Sequence, residues 1–209
     1  MNWEKVHLSV AAEINPRSRE WSNLSDEDLV SFIPMPAISE FSASIIETKN
    51  RALGEVKRGY TPFQNGDVLF AKITPCMENG KAALAKDLAN GFGFGSTEFH
   101  VLRPRESVLS HYLYYFIRQP SFRTHAKQRM SGAVGQQRVP VDFMKNYTIP
   151  LPPISEQRRI VEILDQADAL RKKRAEADKI AERILPALFI KMFGDSATNR
   201  LLQNLESLS

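Results

Sequence analysis

The side chains best able to do chemistry in this 209-residue chain are cationic. Arg118, Arg123, Lys127, Arg129 and Arg138 follow one another with no acid between Arg118 and Arg138. The same stretch ends in Ser131-Gly132-Ala133-Val134-Gly135-Gln136-Gln137-Arg138, where Gly, Ser and Gln accompany the charges. That mixture suits a surface that contacts phosphates; a solvated helix face beside an acidic neighbour is the alternative. Catalytic constellations are missing. Gly80-Lys81 is followed by Ala82 and lacks the upstream glycine of a phosphate loop. Gly91-Phe92-Gly93-Phe94-Gly95 has the wrong spacing for a dinucleotide fingerprint and reads as a flexible, aromatic-bearing loop. Leu151-Pro152-Pro153-Ile154 lacks the polar and aromatic members of an Asn-Pro-Pro-Tyr tetrapeptide. Asp67, Glu78 and Lys81 approach a metal-dependent nuclease pattern, but the Glu–Lys spacing is three rather than two. His7, His100, His111 and His125 are scattered without a ligand spacing, and Cys76 is alone, so neither a disulfide nor a cysteine metal site is expected. No catalytic residue and no metal ligand is assigned.

The elements that must position these residues change character at Ile149-Pro150-Leu151-Pro152-Pro153, which pre-sets an extended segment. Before it, Val68–Ala71 and Phe99–Leu102 read as strands, with Asn65-Gly66-Asp67 as a turn ahead of the first. Ser110–Ile117 reads as a helix capped by Ser110. After the prolines, Ser155 resembles an N-cap, and apolar residues recur at Ile160, Ile163, Ala167, Leu170, Ala177, Ala181, Ile184 and Leu188. The spacing alternates three and four, with Arg174 at the skipped position: a heptad seam of about four repeats. Pro186 should kink or end the helix, and Gly194 should close whatever continues. A narrow seam on a long rod calls for a partner helix, which makes this an assembly element.

Charge is distributed unevenly. The chain as a whole is at +4, residues 1–50 are net acidic, and residues 118–154 carry six cations against one acid. Nothing approaches the roughly 20 apolar residues of a membrane span, and no basic-then-apolar leader is visible, so a soluble cytoplasmic protein is expected.

Four motifs together carry a resemblance. Gly66-Asp67-Val68-Leu69-Phe70-Ala71-Lys72-Ile73-Thr74, Ser96-Thr97-Glu98-Phe99-His100-Val101-Leu102-Arg103-Pro104, Met130–Val139 and Ile149–Val161 stand in this order. They resemble the "GDVL", "STEF.VLRP", "M.G..GQ.RV" and "IPLPP..EQ..IV" segments of the specificity (S) subunits of type I restriction–modification systems. The resemblance implies a non-catalytic subunit in which each target recognition domain reads half of a bipartite DNA site. Its long helices dock methyltransferase subunits, and a nuclease–translocase subunit joins the assembly. S-adenosylmethionine, ATP and Mg belong to those partners, and this chain is expected to hold no cofactor. Full-length members alternate two recognition domains with two helices. This chain has one of each, and Met192–Asn199 resembles the junction before a second domain, so it reads as a half-subunit or a truncated form.

The expectation is therefore an α+β fold: a globular target recognition domain with a mixed β-sheet core over residues 1–153, a long coiled-coil-forming helix over 154–195 for dimerisation and subunit docking, and a tail over 196–209. Lys72, Thr74, Asn79 and Lys81 flank a strand end, and Gln136, Gln137 and Arg138 sit in a Gly-bounded loop; these are expected to face double-stranded DNA, with Lys127 and Arg129 on phosphates. Self-association is expected through the seam. A stand-alone nuclease or methyltransferase, and a coiled-coil adaptor binding only protein, are the rival readings.

Overall fold

The structure, a computed structural model, describes residues 3–17, 20–42 and 44–194, so the expected tail at 196–209 lies outside the described residues. In chain order the elements are β1 (Lys5–His7), α1 (Leu8–Ala11), β2 (Ala12–Ile14), β3 (Leu29–Ile33), β4 (Lys49–Ala52), α2 (Leu53–Val56), β5 (Thr61–Gln64), β6 (Val68–Ala71), β7 (Ala82–Leu84), β8 (Phe92–Gly95), β9 (Phe99–Pro104), α3 (Ser110–Ile117), α4 (Pro120–Gln128), α5 (Val141–Asn146), β10 (Thr148–Pro150) and α6 (Ile154–Phe193). One compact unit closes at Ile163 and a second opens at Leu164.

Two four-stranded sheets form the first unit, in the orders β2-β9-β6-β7 and β4-β3-β8-β5. The first is antiparallel throughout. The second is mixed, because β3 runs parallel to β8 and antiparallel to β4. Successive side chains of a strand point to opposite faces, and β6 uses both. Val68 and Phe70 join a core with Leu113, Ile117 and Phe122 from α3 and α4. Leu69 joins Ile33, Phe63, Phe99 and Val101 in a core contributed by both sheets. Burial on both faces explains why this strand is a continuous apolar run.

The Gly91–Gly95 segment is a strand rather than the expected flexible loop. β8 lies between β3 and β5 in its sheet, with Phe94 fully buried. The glycines are there for space: a Cβ on Gly93 would run into the Phe63 ring, and one on Gly95 into the Ile33 carbonyl. Alternating Phe and Gly here gives one filled face and one flat face.

Both expected cap residues lie inside their helices, Ser110 as the first residue of α3 and Ser155 as the second of α6. Leu109, not Ser110, holds the cap position of α3, and its N–H donates to Gln157 Oε1 at 2.8 Å, so the helix start is tied by a glutamine from α6 instead of a serine hydroxyl. α6 begins at Ile154, and the first bond runs from the Gln157 N–H to the Pro153 carbonyl at 3.0 Å. Gln157 is completely buried and also donates to Ser107 O and Pro152 O. Pro186 does not end α6, which runs on to Phe193. Proline removes one backbone bond, while Ala187, Leu188, Lys191 and Met192 beyond it are strong helix formers. Gly194, at φ +77°, closes the helix as expected.

From Ile163 onward the seam lies open. Ile163, Leu170, Ile184 and Leu188 are each about half exposed or more, and Ala167, Ala177 and Ala181 are exposed. Ile160 is different: it packs against the core of the first unit. Ile180, Leu185, Phe189, Ile190 and Met192 widen the exposed apolar surface towards the end of α6, beyond the stripe that the heptad spacing picks out.

Candidate nucleic-acid interface

Two segments 60 residues apart in sequence are knitted together at one end of the β2-β9-β6-β7 sheet. β6 ends at Ala71, and the chain loops through Lys72–Lys81 before returning as β7, with the Ala71 N–H on the Lys81 carbonyl at 3.0 Å. The segment between α4 and α5 folds back on itself, Ser131 and Arg138 exchanging backbone bonds at 3.1 and 2.8 Å. It then pairs with the first loop: Thr74 N–H to Gln137 O at 3.0 Å, and Val139 N–H to Lys72 O at 2.8 Å. Backbone bonding thus places Lys72 and Thr74 directly beside Gln137 and Arg138.

Two residues of β9 and its approach fix this junction from below. Glu98 grips Arg138 with both oxygens, Nε to Oε2 at 2.9 Å and Nη2 to Oε1 at 2.8 Å, and the remaining guanidinium nitrogen donates to Gln136 O at 2.9 Å. The Arg138 guanidinium holds the Glu98 carboxyl below its ordinary range. Buried His100 donates from Nε2 to Val139 O at 2.8 Å, and its Nδ1 faces Asn15 Nδ2 at 3.1 Å. Burial pushes this imidazole down to about 4, so it is neutral at physiological pH. Neither Glu98 nor His100 belongs to the site expected from sequence; both stand in the Ser96–Pro104 motif, but their roles are not local, since Glu98 stands 40 residues from the arginine it holds.

The expected site residues divide into two groups. Gln136 is exposed, Gln137 half-buried and Arg129 exposed, and among the described residues their side chains have no hydrogen-bond or ion-pair partner. Lys127 is well exposed, its ammonium 2.7 Å from Glu78. Lys72 stands close enough to Glu98 and His100 to affect both electrostatically. These residues can meet a polyanion. The others are engaged within the fold. Arg138 is clamped by Glu98. Lys81 is nearly buried, reaching Met35 O at 3.3 Å and Glu40 at 3.9 Å, and Asn79 donates to the same Glu40 at 3.1 Å. The Thr74 hydroxyl is buried without a partner.

The nuclease-like trio is dispersed by its own ion pairs. Asp67, 1% exposed, takes the Arg103 guanidinium on both oxygens at 2.9 Å and the Gln64 N–H at 2.9 Å. Glu78 faces Lys127, and Lys81 faces Glu40. Among the described residues no group of three or more His, Cys, Asp or Glu could hold a metal ion, and no helix is long and apolar enough to cross a membrane.

Comparison with known proteins bears on this arrangement. Residues 1–181 match the family described as type I restriction modification DNA specificity domain. The chain is 37% identical over 212 aligned positions to the type I restriction enzyme EcoEI specificity subunit of Escherichia coli, covering 99% of this chain and 35% of that protein. It is 36% identical to the EcoAI specificity subunit of the same organism, covering 99% and 36%. A solved chain from a type I R-M system superposes with a TM-score of 0.67 at 25% identity, over 94% of this chain and 51% of that one. The HsdS subunit from Thermoanaerobacter tengcongensis shares the fold, with a TM-score of 0.61 at 24% identity over 94% and 51%. The chain therefore spans about a third of the length of these curated relatives and about half of these solved chains.

Proposed function

The chain belongs to the type I restriction–modification DNA specificity domain family, and from that premise we propose that it reads one half of a bipartite duplex DNA target and does no chemistry itself. The observation that carries this reading is the backbone ladder that joins the Lys72–Thr74 and Arg129–Val139 segments. It presents Lys72, Lys127, Arg129, Gln136 and Gln137 together on a support that Glu98 and His100 hold in shape. Gln can bond adenine in two places in the major groove, and each such pair is worth about 1–3 kcal/mol of discrimination. Lys127 and Arg129 neutralise phosphates and carry no sequence information. Arg138 positions the loop rather than reading guanine.

The second unit supplies assembly. The exposed seam, which starts at Ile163 at the end of the first unit and runs to Leu188 in the second, is the surface on which a second copy or a second recognition half would pack, and on which methyltransferase and restriction subunits would dock. S-adenosylmethionine, ATP and Mg would belong to those subunits. A cytoplasmic location goes with this reading.

Electrophoretic shift with salt titration tests the DNA assignment. Gln137→Ala is expected to relax preference at one base position while leaving affinity for random duplex intact. Lys127→Ala is expected to weaken all sequences alike and to flatten the salt slope by about one. Equal losses for both variants on preferred and random duplex would refute the division of roles.

A further inference from the structure

Within the ladder, residues 132–135 form the outermost point of the loop. The Gln136 N–H closes a turn on the Ala133 carbonyl at 2.9 Å, and Gly132 and Gly135 adopt positive φ, at +120° and +79°. Val134 stands in the middle of that turn and is 99% exposed. Gly135 beside it has open space around it. A valine here gains nothing from folding, because it touches no core, and its two methyls are hydrated in the free chain. Polar residues are the usual occupants of such turns.

Its surroundings indicate what could cover it. Exposed Lys127 and Arg129 lie on the helix end leading into the same loop, and Gln136 and Gln137 follow it directly. A polyanion drawn to those cations brings the tip of the turn against its surface. Valine has no donor for a phosphate. In the major groove, the apolar group that a base pair offers is the C5-methyl of thymine, on the same A·T pair whose adenine glutamine bonds. We propose that Val134 is a specificity-determining residue that packs on a thymine C5-methyl in the major groove of the half-site. This inference rests on the DNA reading given above.

The test begins with selection of preferred duplexes from a random library by the full chain, followed by synthesis of the selected duplex with each thymine replaced in turn by deoxyuridine, which removes only the methyl. At one position the unaltered chain should bind the uracil duplex about fourfold more weakly, the equivalent of one buried methyl. Val134→Ala, left with one methyl set back by a bond, should lose most of that discrimination, while Val134→Ile should keep it. Melting curves of the variants should coincide with that of the unaltered chain, since the side chain contacts nothing in the fold. An unchanged thymine-to-uracil ratio in Val134→Ala, or no thymine position that matters, would overturn this inference and leave the DNA reading standing. Failure to enrich any sequence would overturn both.

Discussion

Acidification should loosen the fold through His100, and the amount can be worked from its surroundings. In the unfolded chain a histidine titrates near 6.5; in the fold, burial lowers His100 to about 4. As pH falls through 6.5 the unfolded chain binds a proton that the folded chain refuses. The stability due to the neutral imidazole is therefore complete above about pH 6.5 and is lost as pH falls towards 4, at up to about 1.4 kcal/mol per pH unit. Between pH 7 and pH 5 the loss is about 2 kcal/mol, and by pH 4 it approaches 3 kcal/mol. At about 2 kcal/mol per M, a urea midpoint should move down by roughly 1 M between pH 7 and pH 5. His100→Gln retains an N–H that can reach Val139 O but cannot titrate, so the difference between the two proteins cancels the carboxylates. Glu98, held below its ordinary range, loses its contribution only as pH falls through the unfolded carboxylate range, below this window. Equal midpoint shifts for the unaltered chain and His100→Gln between pH 7 and pH 5 would refute the assignment.

Arg103→Met leaves the buried Asp67 carboxylate without its two-point partner, and thermal or urea unfolding at pH 7 should show a loss of about 3–5 kcal/mol; the double variant with Asp67→Asn should recover part of it. Ile184→Asp places a charge in the exposed seam, and sedimentation should show a self-associated species reduced to single chains, with the melting of the first unit unchanged. An identical mass before and after would remove the seam as a self-association surface.

Much of the framework was legible because it depends on local signals. The strand at Val68–Ala71 follows from its apolar run and the Gly66 turn, and α6 follows from its heptad spacing and the prolines before it. β8 was not legible, because its glycines look like loop residues until the Phe63 ring that needs the space is known. The parallel pairing of β3 with β8 was equally hidden, since it joins Ser31 to Gly93 across 62 residues. The candidate site shows the same limit. Composition located both loops, but the roles of Arg138 and Lys81 depend on Glu98 and Glu40, each about 40 residues away in sequence. A cation's type shows that it can meet a phosphate; only its neighbours show whether it is free to do so.

The small β1–β10 sheet has a consequence for how the chain is made. Lys5 lies opposite Pro150 and His7 opposite Thr148, so the two strands that clasp the first unit are separated by almost its whole length. At roughly 5–20 residues per second of synthesis, β1 waits about 7–29 seconds for its mate. β2 likewise pairs with β9, placing Ala12 opposite Pro104. The early strands therefore leave the ribosome with their edges unpaired, and the unit cannot close until β10 has emerged. Translation of α6 begins only a few residues later, so the seam is still being synthesised while the head completes its fold. Any partner of the seam can thus be met only after the strands of the first unit have been made, and that unit is complete only once Gln157 and Ile160 of α6 are in place.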